Sequence, residues 1–185
     1  KLLKYAGIST PAFSFHSHNE HKKVDYLVEL LKSGKSVALI SDAGSPGISD
    51  PGFLAVDAAI QAGISVCPVP GASALIAAIS ASGLPSDRFV FEGFLPHKKG
   101  RQTRWKKLTH EERTMMFYES PYRIGKILKE INEYLGSDRN VVLARELTKK
   151  FEEFIRGNAE ELLLSYQNEQ LKLKGEFVVM VEGDS

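Results

Sequence analysis

Residues 39–52 read LISDAGSPGISDPG, two apolar residues that run into a loop of small and turn-forming residues. The loop combines three glycines and two prolines with two carboxylates, Asp42 and Asp50. The run SVALISD at 36–42 is typical of a buried strand, and the helical pattern at 51–62 opens on a proline after Asp50 as N-cap. Ligands of α/β proteins bind at the carboxyl ends of strands, where glycines allow close approach to the backbone. The stretch therefore predicts an α/β fold with a ligand loop, with a tight connection that binds nothing as the alternative.

The rest of the chain repeats this alternation of short apolar runs and amphipathic stretches. Further buried strands are predicted at 64–70, 87–95, 114–120, 140–147 and 175–183. Helical spacing of apolar residues falls at 20–33, 72–82 and 121–135. Such alternation is typical of α/β proteins with largely parallel sheets. The segments FEEFIRG and EFVVMVEG have no obvious full-length helix between them, which predicts antiparallel pairing near the C-terminus.

A turn-rich segment, SGLPSDR at 82–88, is the best linker in the chain. It predicts an N-terminal α/β domain, residues 1–84, and a C-terminal α/β domain, residues 85–185. The first is expected to hold a largely parallel sheet and the second a mixed one.

The composition narrows the class of protein. The chain has 185 residues, 43% of them hydrophobic, which is enough for a substantial core. A net charge of +1 gives no global nucleic-acid signature, so any basic surface is local. The single cysteine excludes an internal disulfide framework and a cysteine zinc site. The first residues, KLLKYAG, contain no Met and predict a chain truncated upstream.

Two familiar phosphate-binding motifs are excluded. The segment SGKS at 33–36 resembles the end of a Walker A loop, but Glu29 stands where that motif needs a glycine. A helix C-terminus at Gly34 is the better interpretation. No G-x-G-x-x-G sequence occurs, so the dinucleotide fingerprint is absent.

The segment HSHNEH at 16–21 places three imidazoles within six residues. Neutral imidazoles bind metals, but the acid that follows equally suits a helix N-terminus. A solvated or substrate-facing polar loop is favoured over a metal site, and no metal is predicted.

Two further segments point to ligands. The loop PVPGASA at 68–74 also follows a predicted strand and opens a helix, so the two small-residue loops would form the walls of a cleft. The segment HKKGRQTRWKK at 97–107 carries six Lys or Arg and one Trp in a nearly neutral chain. Such clusters bind phosphate backbones, and Trp or Arg stacks on unpaired bases. The alternative is a solvated helix face with Trp105 as its core anchor.

Charged residues follow two more predicted strands, in FYESPYR at 117–123 and ARELTKKFEEF at 144–154. Glu119 with Arg123, and Arg145 with Glu146, are candidate site residues at strand ends. The alternative is that each pair only fixes a loop.

Taken in order, SDAGSPGISDPG, VPGASAL, FYESPYR, ARELTKKFEE and KGEFVV closely resemble the ribosomal RNA small subunit methyltransferase I family of the tetrapyrrole methylase superfamily. FHSHNE also resembles a segment of that family. The resemblance covers essentially the whole chain. It implies two α/β domains that hold S-adenosylmethionine in the cleft between them. It also implies a homodimer in the bacterial cytoplasm that methylates the ribose 2′-hydroxyl of a cytidine in small-subunit ribosomal RNA.

The resemblance also assigns cofactor residues. The methionine end of S-adenosylmethionine would contact Asp42, Ala43, Gly44, Ile48, Ser49 and Asp50, with further contacts from Ala72 and Ser73. The adenosine half would lie near Tyr118, Glu119, Glu146 and Leu147, with Gly175 closing the far side.

The chain departs from the family pattern at both ends. The family begins with a strand and a TPIGNL-like loop, and it ends with a short helical tail, and neither is found here. The departure predicts a first sheet that lacks one strand and a weaker hold on the cofactor.

Catalysis by this family needs a weak nucleophile to be aligned and deprotonated. We expect His16, His18 and Glu20 to serve as base or orienter, because polar residues crowd there without a core role. Glu119 and the pair Arg145–Glu146 stay as alternatives. The RNA backbone is expected to contact Lys98, Lys99, Arg101, Arg104 and Trp105. A tetrapyrrole-precursor methylase and a non-catalytic RNA- or nucleotide-binding module remain alternative functions.

Overall fold

The computed structural model describes residues 2–16 and 18–184, and the chain divides into two compact units, residues 1–71 and 72–185. The helices are α1 Leu2–Tyr5, α2 Glu20–Lys32, α3 Phe53–Gln61, α4 Ala74–Ser80, α5 Arg101–Leu108, α6 Ile124–Leu135 and α7 Ala159–Gln167. The strands are β1 Phe89–Phe94, β2 Thr114–Glu119, β3 Asn140–Arg145, β4 Glu153–Asn158 and β5 Phe177–Val181. A short 3-10 helix, Pro121–Arg123, leads into α6.

The five strands form one mixed sheet in the order β1-β2-β5-β3-β4. β1 and β2 are parallel, whereas β5 is antiparallel to both β2 and β3, and β4 is antiparallel to β3. Phe177, the first residue of β5, pairs with Glu119 on one side and with Arg145 on the other. The carboxyl ends of β2 and β3 therefore meet the beginning of β5 at one edge of the sheet. The mixed sheet predicted for the C-terminal half is confirmed.

Both faces of this sheet are buried, because successive side chains of a strand point to opposite faces. On β2, Met115 and Phe117 pack against α5, α6 and α7, while Met116 packs with α4. The larger core on the first face includes Trp105, Ile127, Leu128, Ile131, Leu143, Leu162 and Val179. The smaller core on the second face includes Leu75, Ala78, Ile79, Val142, Val178 and Met180.

The helix α4 belongs to the second compact unit because its apolar side packs on the sheet. The predicted domains, 1–84 and 85–185, were defined by their roles in binding cofactor and RNA. The division into compact units does not test those roles, so the boundary between residues 84 and 85 stays a prediction.

In the first unit, α2 packs against α3, with Leu27, Ala55 and Ala59 buried. α2 ends in a Schellman motif: Gly34 has φ of +84°, its amide donates to Leu31 and the Lys35 amide donates to Leu30. The interpretation of SGKS as a helix end is confirmed.

The strands predicted at 36–42 and 64–70 are not formed. In the described part of the first unit neither segment is assigned as a strand, and Val37, Ile40 and Val69 are exposed. Their β-branched apolar residues favour a strand, but a strand exists only where a neighbour completes its hydrogen-bond ladder. The largely parallel first sheet is therefore not present among the described residues.

The start of α3 also differs from the prediction. The helix begins at Phe53 with Gly52 as N-cap, not at Pro51 with Asp50 as N-cap. Asp50 is engaged elsewhere, because its Oδ2 accepts a hydrogen bond from the Ser41 hydroxyl.

A nine-residue helix, α7, lies between β4 and β5, where no full-length helix was expected. It begins with a complete capping box: Asn158 Oδ1 accepts from the Glu161 amide at 2.8 Å, and Glu161 Oε2 accepts from the Asn158 amide at 3.0 Å. The sequence N-A-E-E carries that signal. Antiparallel pairing near the C-terminus is present, but β4 and β5 do not pair with each other: β3 lies between them and is antiparallel to both. The reason given for the prediction, a connection without a full-length helix, is therefore wrong.

Candidate functional site

Polar residues converge where β2 and β3 end and β5 begins, which we call the carboxyl edge (residues 118–119, 145–147 and 174–176). Tyr118 and Glu119 come from β2, and Arg145, Glu146 and Leu147 follow β3. Gly175 and Glu176 precede β5. Because β5 runs antiparallel to its neighbours, the sheet brings together five of the sequence-predicted cofactor residues from three distant segments.

Glu146 is the most constrained residue of the carboxyl edge. Its φ of 51° is left-handed, a conformation that residues other than glycine rarely adopt. Its Oε1 accepts hydrogen bonds from Lys149 Nζ at 2.8 Å and from the Glu176 amide at 3.1 Å. The Lys149 ammonium, together with the Glu176 amide, lowers the pKa of the Glu146 carboxyl. The edge therefore presents an ionised, fixed and still partly accessible carboxylate.

Gly175 allows this arrangement for two reasons. Its φ is +94°, which disfavours any L side chain. A Cβ added there would also lie 2.2 Å from Glu146 Oε1, well inside van der Waals contact. A side chain at position 175 would therefore push the Glu146 carboxylate out of place.

Arg145 fixes a loop, as the alternative interpretation held, but its ion-pair partner is Glu153 and not Glu146. Its Nη2 lies 3.0 Å from Glu153 Oε2, and its Nη1 donates to the Lys174 carbonyl at 3.2 Å. Glu146 pairs with Lys149 and not with Arg145. Arg145 thus ties the start of β4 and the approach to β5 to the end of β3.

Glu119 lies in a buried charge cluster with Arg101, Arg123 and Glu130. Its Oε1 accepts from Arg123 Nε at 2.5 Å and from the Ser120 amide at 2.8 Å, while Arg101 Nη2 lies 3.6 Å from its Oε2. The Glu119 side chain is fully buried. Its carboxylate fixes the turn that follows β2, as the alternative interpretation of the Glu119–Arg123 pair held. Because the side chain is enclosed, only the backbone of Glu119 can face a ligand.

Tyr118 and Leu147 are the apolar part of the carboxyl edge. Both are half-buried against the core that contains α4. The Tyr118 ring meets Phe91 and Phe94 edge-on, with centroids 4.8 and 5.6 Å away.

The backbone conformation of the loop at 41–52 in the first unit depends on its glycines. Gly44 and Gly47 have φ of +73° and +82°, and Ser49 has φ of +63°, an outlier of the kind often found at ligand sites. A Cβ on Gly52 would approach the Gly47 amide nitrogen to 3.0 Å, so the two backbones pass closely. The predicted methionine-end residues 42–44 and 48–50 are exposed.

The second loop meets the first at one point within this unit. A Cβ on Gly71 would lie 3.8 Å from Ser45 Oγ. The following Ala72 and Ser73 belong to the second unit, where Ser73 is the N-cap residue of α4 and its carbonyl accepts from the Ala77 amide at 3.0 Å.

The predicted catalytic residues lie where α2 begins; Ser17 falls outside the described residues. His16 and His18 are exposed, with ring centroids 6.0 Å apart, and Glu20 is the first residue of α2. Asn19 organises this segment: its Oδ1 accepts from the His16 amide at 2.8 Å and its Nδ2 donates to the Ser14 carbonyl at 3.1 Å. Asn19 was missed as a site residue, although Asn before a helix is a recognisable turn signal.

The basic segment splits into an exposed and a buried part. Lys98, Lys99 and Arg104 are exposed, as a nucleic-acid surface requires. Arg101 and Trp105 are 2% and 0% exposed, so the prediction that they contact RNA is wrong. They lie one helical turn apart on the inner side of α5.

Each of the two buried residues has a structural role. Arg101 Nε donates to both carboxylate oxygens of Glu130, at 2.8 and 2.9 Å, and its Nη1 donates to the Pro96 carbonyl at 3.2 Å. Trp105 packs on Phe117 and Tyr134 as a core anchor, which was the alternative interpretation.

The described residues contain neither a grouped set of metal ligands nor a helix suited to a membrane. No three His, Cys, Asp or Glu side chains among them are grouped so that they could hold a metal ion. None of the helices in the same part of the chain has the length and apolar character needed to cross a bilayer.

Curated relatives match almost the whole chain. It is 51% identical over 184 residues to the ribosomal RNA small subunit methyltransferase I of Xylella fastidiosa (strain Temecula1), covering 99% of this chain and 67% of that protein. It is 50% identical to the protein of the same name from Pasteurella multocida (strain Pm70), covering 98% of this chain and 65% of that one. The chain thus spans about two thirds of the length of these relatives.

Solved structures of low sequence identity share the fold. A diphthine synthase superposes with a TM-score of 0.69 at 15% identity, covering 98% of this chain and 72% of that one. The uroporphyrin-III C-methyltransferase of Thermus thermophilus, crystallised with S-adenosylhomocysteine, superposes with a TM-score of 0.58 at 14% identity, covering 89% and 73%.

The family assignment follows from these matches. The model of the tetrapyrrole (corrin/porphyrin) methylases matches residues 4–163, and the α/β fold with a mixed sheet agrees with it. The chain belongs to the tetrapyrrole (corrin/porphyrin) methylases and, within them, to the ribosomal RNA small subunit methyltransferase I family.

Proposed function

We propose that this protein uses S-adenosylmethionine to methylate small-subunit ribosomal RNA, at the ribose 2′-hydroxyl of a cytidine. The observation that carries the proposal is the 51% identity, over 99% of the chain, to a ribosomal RNA small subunit methyltransferase I. The geometry of the carboxyl edge supports it independently, because it offers an ionised carboxylate, Glu146, that Lys149 and the Glu176 amide hold in place.

The residues of the carboxyl edge fit the adenosine half of the cofactor. Ribose hydroxyls donate hydrogen bonds, and Glu146 offers an ionised acceptor whose position is set by Lys149 and by the Glu176 amide. Tyr118 and Leu147 supply half-buried apolar surface suited to a purine. The absence of a side chain at Gly175 lets the Glu146 carboxylate occupy this position. Glu119 contributes through its backbone, since its side chain is enclosed.

The loop at 42–50 in the first unit fits the methionine end. Asp42 is an exposed carboxylate suited to an α-ammonium or a sulfonium. The exposed amides of the loop around Gly44 and Ser49 suit the α-carboxylate. Asp50 is bonded to Ser41, so it fixes the loop and also leaves a carboxylate at its surface.

When bound, S-adenosylmethionine supplies an electrophilic methyl group on a sulfonium. The chain must hold the ribose hydroxyl in line with that carbon and remove its proton, because a neutral hydroxyl is a weak nucleophile. We propose that His18 accepts this proton at a ring nitrogen, with His16 and Glu20 orienting the ribose. His18 is exposed, and the side chain of the neighbouring Asn19 fixes the preceding backbone by bonding to the His16 amide and the Ser14 carbonyl.

The histidine role is tested with His18→Ala. We expect cofactor binding to stay unchanged and methyl transfer to fall about 100-fold or more. His21→Ala removes a neighbouring exposed imidazole on α2 and should leave both unchanged. Unimpaired transfer by His18→Ala would remove His18 from the mechanism.

The RNA backbone is proposed to lie on Lys98, Lys99 and Arg104, which are exposed around the start of α5. Reversing these three charges should weaken RNA binding and flatten its salt dependence by about 0.7 for each phosphate that is no longer neutralised. An unchanged salt slope would place the RNA elsewhere.

The activity is tested by methyl transfer from S-adenosylmethionine to small ribosomal subunits and, separately, to a porphyrinoid. We expect label in the ribosomal RNA, in a dinucleotide that resists alkali, because a methylated 2′-oxygen cannot attack the adjacent phosphate. Label only in the porphyrinoid would favour a tetrapyrrole-precursor methylase. Absence of both label and cofactor binding would favour a binding module.

A homodimer and a cytoplasmic location are further proposals that rest on the family resemblance. Light scattering of the purified protein tests the first, and fractionation of cells tests the second.

A further inference from the structure

The edge strand β1 contains a bulge that exposes an aromatic ring. Phe91 pairs with Met116 and Gly93 pairs with Phe117, so Glu92 is an extra residue in the ladder. Gly93 takes φ of +62° at this point, which favours glycine. Residues 91 and 94 of a regular strand face opposite sides. Because of the bulge, Phe91 and Phe94 both contact the Tyr118 ring.

Phe94 lies at the mouth of an open groove of about 440 Å³ between β1 and α5. Phe94 is 55% exposed although its ring also contacts Tyr118, so one face of the ring is available to a ligand. The groove continues along α5, lined by Pro96, Thr103, Arg104 and Lys107.

The charge of the groove is positive. Arg104 and Lys107 line it, and Lys98 and Lys99 are exposed beside it. The acid in its wall, Glu92, is 3% exposed and is paired with Arg104 Nε. Glu92, the extra residue of the bulge, thus fixes the Arg104 guanidinium, and its own negative charge is neutralised by that ion pair.

We propose that this groove binds a single-stranded segment of RNA, with one base stacked on Phe94 and the adjacent phosphates on Arg104 and Lys107. Aromatic stacking beside a row of cations is the general solution for unpaired nucleic acid. The centroid of Phe94 lies 5.6 Å from that of Tyr118, so a base on Phe94 is adjacent to the carboxyl edge. This assignment rests on the proposed function, and it names a surface that would hold the RNA substrate beside the residues proposed for the adenosine half of the cofactor.

The test is titration of a labelled single-stranded RNA of about 12 nucleotides into the full chain. Phe94→Ala should weaken binding about 5- to 100-fold. Phe94→Leu keeps apolar volume and should also lose affinity, whereas Phe94→Trp keeps the stacking surface and should retain it. Lys107→Glu should lower the salt slope. Leu164→Ala removes an apolar side chain of similar exposure, 50%, and should change nothing.

Titration of S-adenosylmethionine into the same variants separates this proposal from the proposed function. Loss of RNA affinity with unchanged cofactor affinity supports the groove. RNA affinity that is equal in wild type, Phe94→Ala and Phe94→Leu overturns the groove and leaves methyl transfer to its own assay. A wild-type chain that binds no RNA also overturns the groove, and cofactor binding then decides whether a methyltransferase remains.

Discussion

Gly175→Ala tests whether the carboxyl edge is built around the Glu146 carboxylate. The new side chain meets two obstacles: a backbone φ of +94° and a Cβ only 2.2 Å from Glu146 Oε1. The first costs about 1–2 kcal/mol for any L residue. The second displaces the carboxylate from Lys149 Nζ and from the Glu176 amide, which now lie 2.8 and 3.1 Å from it.

A matched control isolates the second effect. Gly83 in the same unit has φ of +84°, but a Cβ added there would meet nothing within 4 Å. Gly83→Ala should therefore lower Tm by about 2–8 °C from the backbone alone. Gly175→Ala should lower it by clearly more, and it should weaken S-adenosylmethionine binding about ten-fold or more because an ionised hydrogen-bond acceptor is misplaced.

The assays are thermal unfolding followed by circular dichroism and titration calorimetry with S-adenosylmethionine. Repeating Gly175→Ala in a Glu146→Ala background removes the close contact, so the excess over Gly83→Ala should disappear. Equal effects of Gly83→Ala and Gly175→Ala in the wild-type background would refute the reasoning, because the contact with Glu146 would then contribute nothing.

Three further outcomes follow from the second unit. Arg101→Ala should destabilise the protein by about 3–5 kcal/mol in chemical denaturation because it removes the two-pronged partner of Glu130 and the guanidinium beside the buried Glu119, and Arg101→Lys should recover part of that loss. Trp105→Phe should cost much less than the about 3–5 kcal/mol of Trp105→Ala, because the indole Nε1 has no hydrogen-bond partner among the described residues; equal costs in the same denaturation assay would contradict this. The hydrogen bond from Arg113 lowers the pKa of Glu111 to about 2, so its stabilising contribution is complete above about pH 4.5 and is lost as the pH falls towards 2. Melting curves of wild type and Glu111→Gln should converge over that range, and a constant gap would contradict it.

Local patterns in the sequence predicted most of the sheet of the second unit but not the helix α7. The strands of the sheet coincide with apolar runs, but the pairing of β5 with β2 and β3 could not be inferred from the connection before it, which contains α7. The positions of charged residues at strand ends indicated a candidate site, and the resemblance to the family supplied the other residues of the carboxyl edge, Tyr118, Leu147 and Gly175. The partner of Arg145 could not be inferred, because Glu153 reaches it only through the pairing of β3 with β4.

The buried residues of α5 were predictable from a signal that was overlooked. Arg101, Trp105 and Leu108 are spaced as one face of a helix, and all three are buried. Charge alone suggested a solvent-facing Arg101, but its carboxylate partner lies 29 residues further along the chain. At 36–42 and 64–70 the sequence wrongly predicted strands. Strand propensity reflects the residues of one segment and does not show whether a neighbouring strand is present to complete the hydrogen-bond ladder.

The central claim is that this chain binds S-adenosylmethionine through the Glu146 carboxylate, and calorimetric titration tests it most directly. We predict saturable binding of one cofactor per chain, weakened about ten-fold or more by Glu146→Ala. Glu133→Ala, which removes an exposed carboxylate of α6, should leave the affinity unchanged. A wild-type chain that shows no saturable binding, or equal affinities for wild type and Glu146→Ala, would contradict the claim.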